Sequence, residues 1–438
     1  MDNWEDLNNN IIVPVSDDTL YLASPAIGAP RVSGNMASSG FDVSGMPYLT
    51  VSNNPTAGQY SDIQEAINAL QNSRYEGIYI MNGTYTLAKP VYIPNINMRI
   101  FGESQGGTII ENTDGYEAFY IDGYTGTLTI ENFTINSKNA YAYLEASKAI
   151  IYETDGSGKI FISNLVLNLT CHISRDNGDI AVWSTLSDSD ITIDGFTMSG
   201  DGTLKVGGYR CVYGTVVGNI TITNCKINYV NGGIDLDTCK KVFVSNVHIT
   251  NFNESAILIW NCVSTQIIGC YMKSILYSLR DFDAIRCFTG GKVTITNNTI
   301  NLVGNSPGWH WGMDIGDFTK GVINGNTIVI DCNNTSDGVG IYFDGEGDAV
   351  DDCIITSNTI SVRNRNAGGA AYGIILAYAE RNIINNNRLT GYTAGGTCIG
   401  IYLSNDSDNN QGTSNITYDF DTSISDNGAG NTVTAKDV

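Results

Sequence analysis

The chain has 438 residues, 42% of them hydrophobic and 16% charged, with 48 glycines and 8 prolines, which is enough apolar material for a large core and excludes collagen-like or plainly disordered chemistry. A formal charge of -22 and a pI near 4.3 argue against nucleic acid as a partner, because phosphates demand a basic surface, and weakly against bare anionic membranes. No apolar run long enough to span a bilayer occurs, so no transmembrane segment is expected, and Met1 to Asn10 carry acids where a secretory signal carries basic residues. The expectation is a chain that is intracellular, already processed, or delivered as part of a larger particle.

Residues 1–58 hold five of the eight prolines, a single basic residue, Arg31, and no repeat; they read as an irregular arm or attachment segment. Next, Ser61 and Asp62 precede Gln64 and Glu65, and Ile63, Ile67 and Leu70 fall on one face, which predicts a short capped helix. Such a helix would plug the open first coil of the structure that follows.

From Leu128 onward a motif, apolar-x-Ile-x-Asn-x-x-Ile, recurs ten times at spacings of 22 to 32 residues. A constant motif with a variable period marks one solenoid turn per repeat, with loops that vary and strands that do not. The alternation has period two, which is strand and not helix. Its fifth position reads Asn132, Asn164, Gly195, Asn224, Asn246, Gly269, Asn297, Gly325, Ser357 and Asn386, residues suited to a left-handed turn and to an inward ladder of stacked amides. A second strand precedes each motif and a third follows it. Roughly a dozen coils at about 4.8 Å each give a rod of about 60 Å. The fold class is therefore all-β, a parallel β-helix over residues 59–404, with the Asn-, Asp-, Ser- and Gly-rich segment 405–438 as a final coil or cap.

All ten cysteines lie after residue 170, with no Cys-x-x-Cys, and the only histidines are His172, His248 and His310. Neither a zinc site nor a secreted disulfide framework fits. Free buried thiols are expected, with Cys239 and Cys262 placed for one bridge, since each stands three residues before its motif on adjacent coils.

In the strand before each motif the apolar alternates point inward and the residues between them point out. The first outward row reads Tyr120, Ile151, Trp183, Tyr213, Asp235, Leu258, Arg286, Asp314, Tyr342, Ile375 and Tyr402; the second reads Asp122, Glu153, Thr185, Thr215, Asp237, Trp260, Phe288, Gly316, Asp344, Ala377 and Ser404. Acids, one arginine and many aromatics on one sheet suit an oligosaccharide groove: Trp183, Tyr213, Trp260, Phe288, Trp309, Trp311 and Tyr342 would stack on sugar C–H faces. The competing reading is that loops or a neighbouring chain cover these rings. For cleavage, Asp314 and Asp344 fall about 8 Å apart on adjacent coils, within the span of an inverting glycosidase pair, with Arg286 beside Asp314 and His310 between two tryptophans. Asp235 and Asp237, about 7 Å apart on one strand, are the second pair. A lyase would use Arg286 as base or charge neutraliser, with a metal on Asp235, Asp237 or Asp314. No cofactor is required; Asp344, Glu346 and Asp348 form a dense acidic loop that could hold Ca²⁺, although the spacing of a known calcium loop is missing and a solvated loop competes.

The stretch from Tyr60 to Asn112, with SDIQEAINAL, GIYIMNGTYTL and PVYIPNINMRIFGESQGGTII, closely resembles the entry to pectate-lyase-like right-handed parallel β-helices, including phage tailspikes and polysaccharide lyases. The resemblance covers the body from about residue 58 and implies the fold. Neither the paired-Asp and Gly-His-Gly signatures of polygalacturonases nor the Arg-x-Pro-x-x-Arg run of pectate lyases is present, so no catalytic residue follows from it. It implies a polysaccharide or cell-surface glycan as partner, and a homotrimer or particle-bound oligomer at a virion surface or outside the cell. A secreted lyase, hydrolase or epimerase is the second expectation, and a non-catalytic adhesive or structural rod the third.

Overall fold

The computed structural model describes residues 47–54, 59–112, 117–139, 149–171, 180–200, 210–215, 217–274, 282–288, 291–304, 308–318, 320–333, 335–345 and 350–438. The expected arm therefore lies outside the described residues up to residue 46. Each coil contributes three short strands, as in Phe282–Phe288, Lys292–Thr296 and Thr299–Gly304, and each strand pairs in parallel with its counterpart one coil on. The result is a parallel β-solenoid of about 11 turns. The strands preceding the motifs form the first face, a 13-stranded sheet running from Val91–Ile93 to Thr422–Asp426. Tyr48–Val51 already pairs with Gly77–Ile80, and the tail from 405 carries Gln411–Tyr418, Thr422–Asp426 and Thr432–Asp437, which continue the stacking.

The helix predicted at the entry spans Ile63–Leu70. Asp62 caps it, its carboxylate accepting from the Glu65 backbone N–H at 2.9 Å, and Ile63, Ala66, Ile67 and Leu70 are buried. One such turn of apolar side chains closes the end of the solenoid, whose interior would otherwise meet water.

That interior is built by register. Ile100, Ile130, Ile162, Ile193, Ile222, Val244, Ile267, Ile295, Ile323, Ile355 and Ile384 stand above one another on eleven successive coils, each 1% exposed or less. Burying each such side chain contributes about 1.5–3 kcal/mol. A branched residue stacked on its own kind also fills the space between coils without a void.

All ten fifth positions of the motif have positive φ, between 49° and 67°, as their Asn, Gly and Ser identities require. The inward ladder, however, sits one residue later. Asn164, Asn224, Asn246, Asn297 and Asn386 are exposed, because the left-handed residue turns the chain and aims its own side chain outward. The buried ladder is Asn298, Asn326, Asn358, Asn387 and Asn415. Each Asn Oδ1 from Asn326 onward accepts from the backbone N–H and Nδ2 of the asparagine one coil earlier, at 2.9–3.1 Å. The Nδ2 groups of Asn298, Asn326, Asn358 and Asn387 also donate to the carbonyls of Ile267, Ile295, Ile323 and Ile355, so these amides are satisfied without water. In earlier coils the same position is Phe133, Leu165, Phe196, Cys225, Val247 and Cys270, all buried.

Candidate functional site

Register fixes which side chains share the outer surface of the first face. One column runs Tyr92, Tyr120, Tyr152, Trp183, Tyr213, Asp235, Leu258, Arg286, Asp314, Tyr342, Ile375 and Tyr402. A second runs Asp122, Thr154, Thr185, Thr215, Asp237, Trp260, Phe288, Gly316, Asp344 and Ala377. Both follow the sequence reading except at one coil. There Ile151 and Glu153 point inward, and Tyr152 and Thr154 take the outward positions. The slip is one residue, which in a strand reverses every side chain. Glu153 is buried with its carboxylate accepting from the hydroxyls of Ser184, Ser187 and Ser189.

The corrected coil makes the aromatic column continuous. Neighbouring ring centroids lie 5.5 Å apart for Tyr92–Tyr120 and Tyr120–Tyr152, 5.1 Å for Tyr152–Trp183 and 5.8 Å for Trp183–Tyr213. Tyr92, at the open end, is 55% exposed. Burial, and then the nearby Asp122 carboxylate, push the Tyr120 hydroxyl above its ordinary pKa, so it stays a neutral donor at any physiological pH.

A third outward column carries Ser255, Asp283, Trp311, Val339 and Tyr372. Sequence alternation missed it because Ala284 and Ile285 are both fully buried, which breaks the period of two and returns Asp283 to the outside. The sign of this break was a column of small residues, Ala256, Ala284, Gly312, Gly340, Gly373 and Gly400. At Gly340 an added Cβ would meet the Ile360 side chain at 2.3 Å.

These columns converge at Arg286. Its Nε lies 3.2 Å from Asp314 Oδ2 and its Nη1 4.0 Å from Asp283 Oδ2, with both carboxylates about 2% exposed. Below the guanidinium, Trp260 and Phe288 stack at 5.0 Å and 19°, their centroids 5.5 and 5.3 Å from it. Gly316 leaves room for that stack, since a Cβ there would sit 2.6 Å from the Phe288 ring and 2.2 Å from the Asp344 carbonyl oxygen. Trp311 stacks on Tyr342 at 6.0 Å and 17° and lies 5.6 Å from Trp309, which is 40% exposed. The indole N–H groups of Trp183 and Trp311 are buried with no hydrogen-bond acceptor among the described residues.

His310 is not in this site. It points inward, 1% exposed, its Nδ1 3.1 Å from the Gly308 carbonyl oxygen, and its ring lies 5.8 Å from Phe282, itself stacked on Phe252. Asp235 stands three strand spacings from Asp314, about 14 Å, so the pair Asp235 and Asp237 is separate from the Arg286 cluster. Arg286 lies between the Asp283 and Asp314 carboxylates. Glu346 and Asp348 of the possible Ca²⁺ loop lie outside the described residues; among the described residues no group of three or more His, Cys, Asp or Glu side chains is placed to hold a metal. Nor does any described helix have the length and apolarity to cross a membrane.

The fold and this face define a parallel β-helix protein. No protein-family model matches the sequence, and no curated protein matches it either. Similar solved structures include the catalytic domain of a GH87 alpha-1,3-glucanase variant in complex with nigerose, at TM-score 0.54 and 14% identity over 84% of this chain and 68% of that one. The A-module of an Azotobacter vinelandii mannuronan C-5 epimerase matches at TM-score 0.41 and 14% identity, over 89% of this chain and 96% of that one. Tailspike protein 3 of bacteriophage CBA120 matches at TM-score 0.45 and 12% identity, over 88% of this chain and 61% of its own. At such identities the likeness is one of fold.

Proposed function

We propose that this is a polysaccharide-binding protein of the parallel β-helix type, acting at a particle surface or outside the cell. Its first face would hold an extended glycan along the solenoid axis. The observation that carries the reading is the unbroken stack from Tyr92 to Tyr213, which leads along one sheet towards the Asp283–Arg286–Asp314 cluster. Pyranose rings pack their C–H faces on such aromatic platforms. The fold is also that of a glucanase bound to nigerose, which supports the reading through fold alone.

Two carboxylate pairs offer hydrolysis. Asp314 and Asp344 stand on adjacent coils two positions out of register, about 8 Å apart by strand geometry and so within the span of an inverting pair, and Asp283 with Asp314 flanks Arg286 directly. In either, one carboxyl group protonates the leaving oxygen while the other activates water. The test is incubation with a panel of neutral and acidic polysaccharides, following tryptophan fluorescence for binding, reducing ends for hydrolysis and absorbance of unsaturated uronates for elimination. Binding with release of reducing ends that Asp314→Asn abolishes supports both parts. Binding without cleavage leaves an adhesin, and no binding to any polymer rejects the reading.

A further inference from the structure

We propose that the face formed by the strands after the motif turn carries a second glycan site, for chains whose acidic sugars are spaced by neutral ones; it does not rest on the first-face reading. Near the C-terminal end, Asp331, Arg363 and Tyr392 stand in one outward column on three successive coils. Two columns away, Arg388 and Lys436 stand on either side of Ile416. Asp331 is held by Arg365. Arg363 and Arg388 are exposed, and neither makes an ion pair with any described residue. The chain is described without a gap from residue 350, and the flanking loops 365–370 and 394–397 hold no acid; Asp419 and Asp421 follow only beyond Tyr418. Two guanidinium groups without a carboxylate are a marked departure on a chain with 45 acids and a formal charge of -22.

Each of these groups rests against a tyrosine one coil on. Arg363 Cζ lies 5.6 Å from the Tyr392 ring centroid and Arg388 Cζ 4.8 Å from that of Tyr418. Such a contact steadies the planar group while leaving its N–H fork free for a bidentate anion. Tyr392 is 49% exposed, so a sugar C–H face can pack beside the acid that the fork takes. The two arginines are four residues apart along the strand and one coil apart across it, about 14 Å between Cα atoms. The column between them presents the Ser361 and Thr390 hydroxyls, which suit neutral sugars. A polyanion with a charge every 3.4 Å or so, as in a single nucleic-acid strand, would place most of its charges where no base meets them, and the acidic chain as a whole would repel it. A glycan whose uronates alternate with neutral sugars meets both forks and carries few other charges.

The test uses the full chain with hyaluronan, in which uronate and neutral amino sugar alternate, beside its carboxyl-reduced form and polygalacturonate, at low and at high salt. The variants are Arg363→Gln/Arg388→Gln and, for the first face, Trp183→Ala/Tyr213→Ala. The proposal expects hyaluronan to bind, more tightly than polygalacturonate, and to weaken as salt rises. Carboxyl reduction and the double arginine change should each lower its affinity by about ten-fold or more, whereas the first-face variant leaves it unchanged. Neutral polysaccharides should bind the arginine variant as they bind the wild type, which keeps the two sites separable. Failure of both acidic polymers to bind overturns the proposal, and so does hyaluronan binding that the arginine change spares. If light scattering instead shows self-association that the arginine variant abolishes, the face belongs to a second copy of the chain and the glycan assignment falls.

Discussion

Asp314 holds the Arg286 guanidinium from a side chain that is almost wholly buried. Asp314→Asn therefore removes one of two counter-charges from a partly exposed cation, and should lower stability by about 1–3 kcal/mol in urea unfolding without changing the far-ultraviolet spectrum. If Asp314 is the acid or base, the same change abolishes cleavage and spares binding. Trp260→Ala and Trp309→Ala should each weaken glycan binding by about 1–3 kcal/mol, by analogy with stacking on flat rings, and titration of tryptophan fluorescence reads this directly. At this scale the sequence was legible wherever alternation was clean: Trp183, Tyr213, Trp260, Phe288 and Tyr342 stand outward as their spacing requires. It failed at Ile151 and Glu153, where the run Ala149-Ile150-Ile151 offers two phases. It failed again at Asp283, where Ala284 breaks the period. His310 looked like part of a wall because it lies between two tryptophans, yet in a strand the middle of three residues faces the other way.

The coil turn is the element that the repeat encodes. Asn297 has φ 56°, so Asn297→Gly should be tolerated, whereas Asn297→Val should cost about 1–2 kcal/mol from the left-handed backbone alone. The next residue obeys a different rule. Asn298 and its stacked partners are buried and fully hydrogen-bonded, so Asn326→Ala leaves the Asn298 N–H groups without their acceptor and should cost about 2–4 kcal/mol by equilibrium unfolding. If the outward Asn297→Ala proved as damaging as Asn326→Ala, the ladder would be misplaced by one residue. The motif Asn-Asn-Thr-Ile at Asn297 contains both asparagines, and composition alone could not say which one turns and which one stacks; the sign of φ decides it. The pair Cys239 and Cys262 is likewise adjacent, the Cys239 backbone N–H donating to Cys262 Sγ at 3.3 Å, with both thiols free. The Cys239 side chain hydrogen-bonds to Cys262, which raises the pKa of Cys239 and lowers that of Cys262.

Over the whole molecule, the buried thiols link stability to pH. Burial pushes Cys225, Cys332 and Cys353 up to about 12, above the ordinary thiol value near 8.5. In the unfolded chain they lose protons from about pH 8.5, while the folded chain keeps them, so their contribution is intact below that pH and is lost as pH rises toward 12. Each thiol then removes about 1.4 kcal/mol per pH unit inside that window. Thermal unfolding followed from pH 8 to 11 should show a steep fall, and a flat profile would mean that these cysteines are not buried as thiols. The solenoid was legible because each coil repeats one local solution and parallel stacking follows from the repeat. The Arg286 cluster was only half legible: stacking of the coils puts Arg286 beside Asp314 as the repeat requires, whereas Asp283, three residues before Arg286 on the same strand, was hidden by the break in alternation at Ala284.

The claim that joins these scales is that a glycan lies along the aromatic column of the first face. Equilibrium binding of a polysaccharide recognised by the wild-type chain should be compared with that of Trp183→Ala/Tyr213→Ala, after circular dichroism has shown that both fold alike. Two lost stacking contacts of about 1–3 kcal/mol each predict at least a ten-fold loss of affinity. Binding undiminished in the double variant would contradict the account, since the sugar would then lie elsewhere on the solenoid.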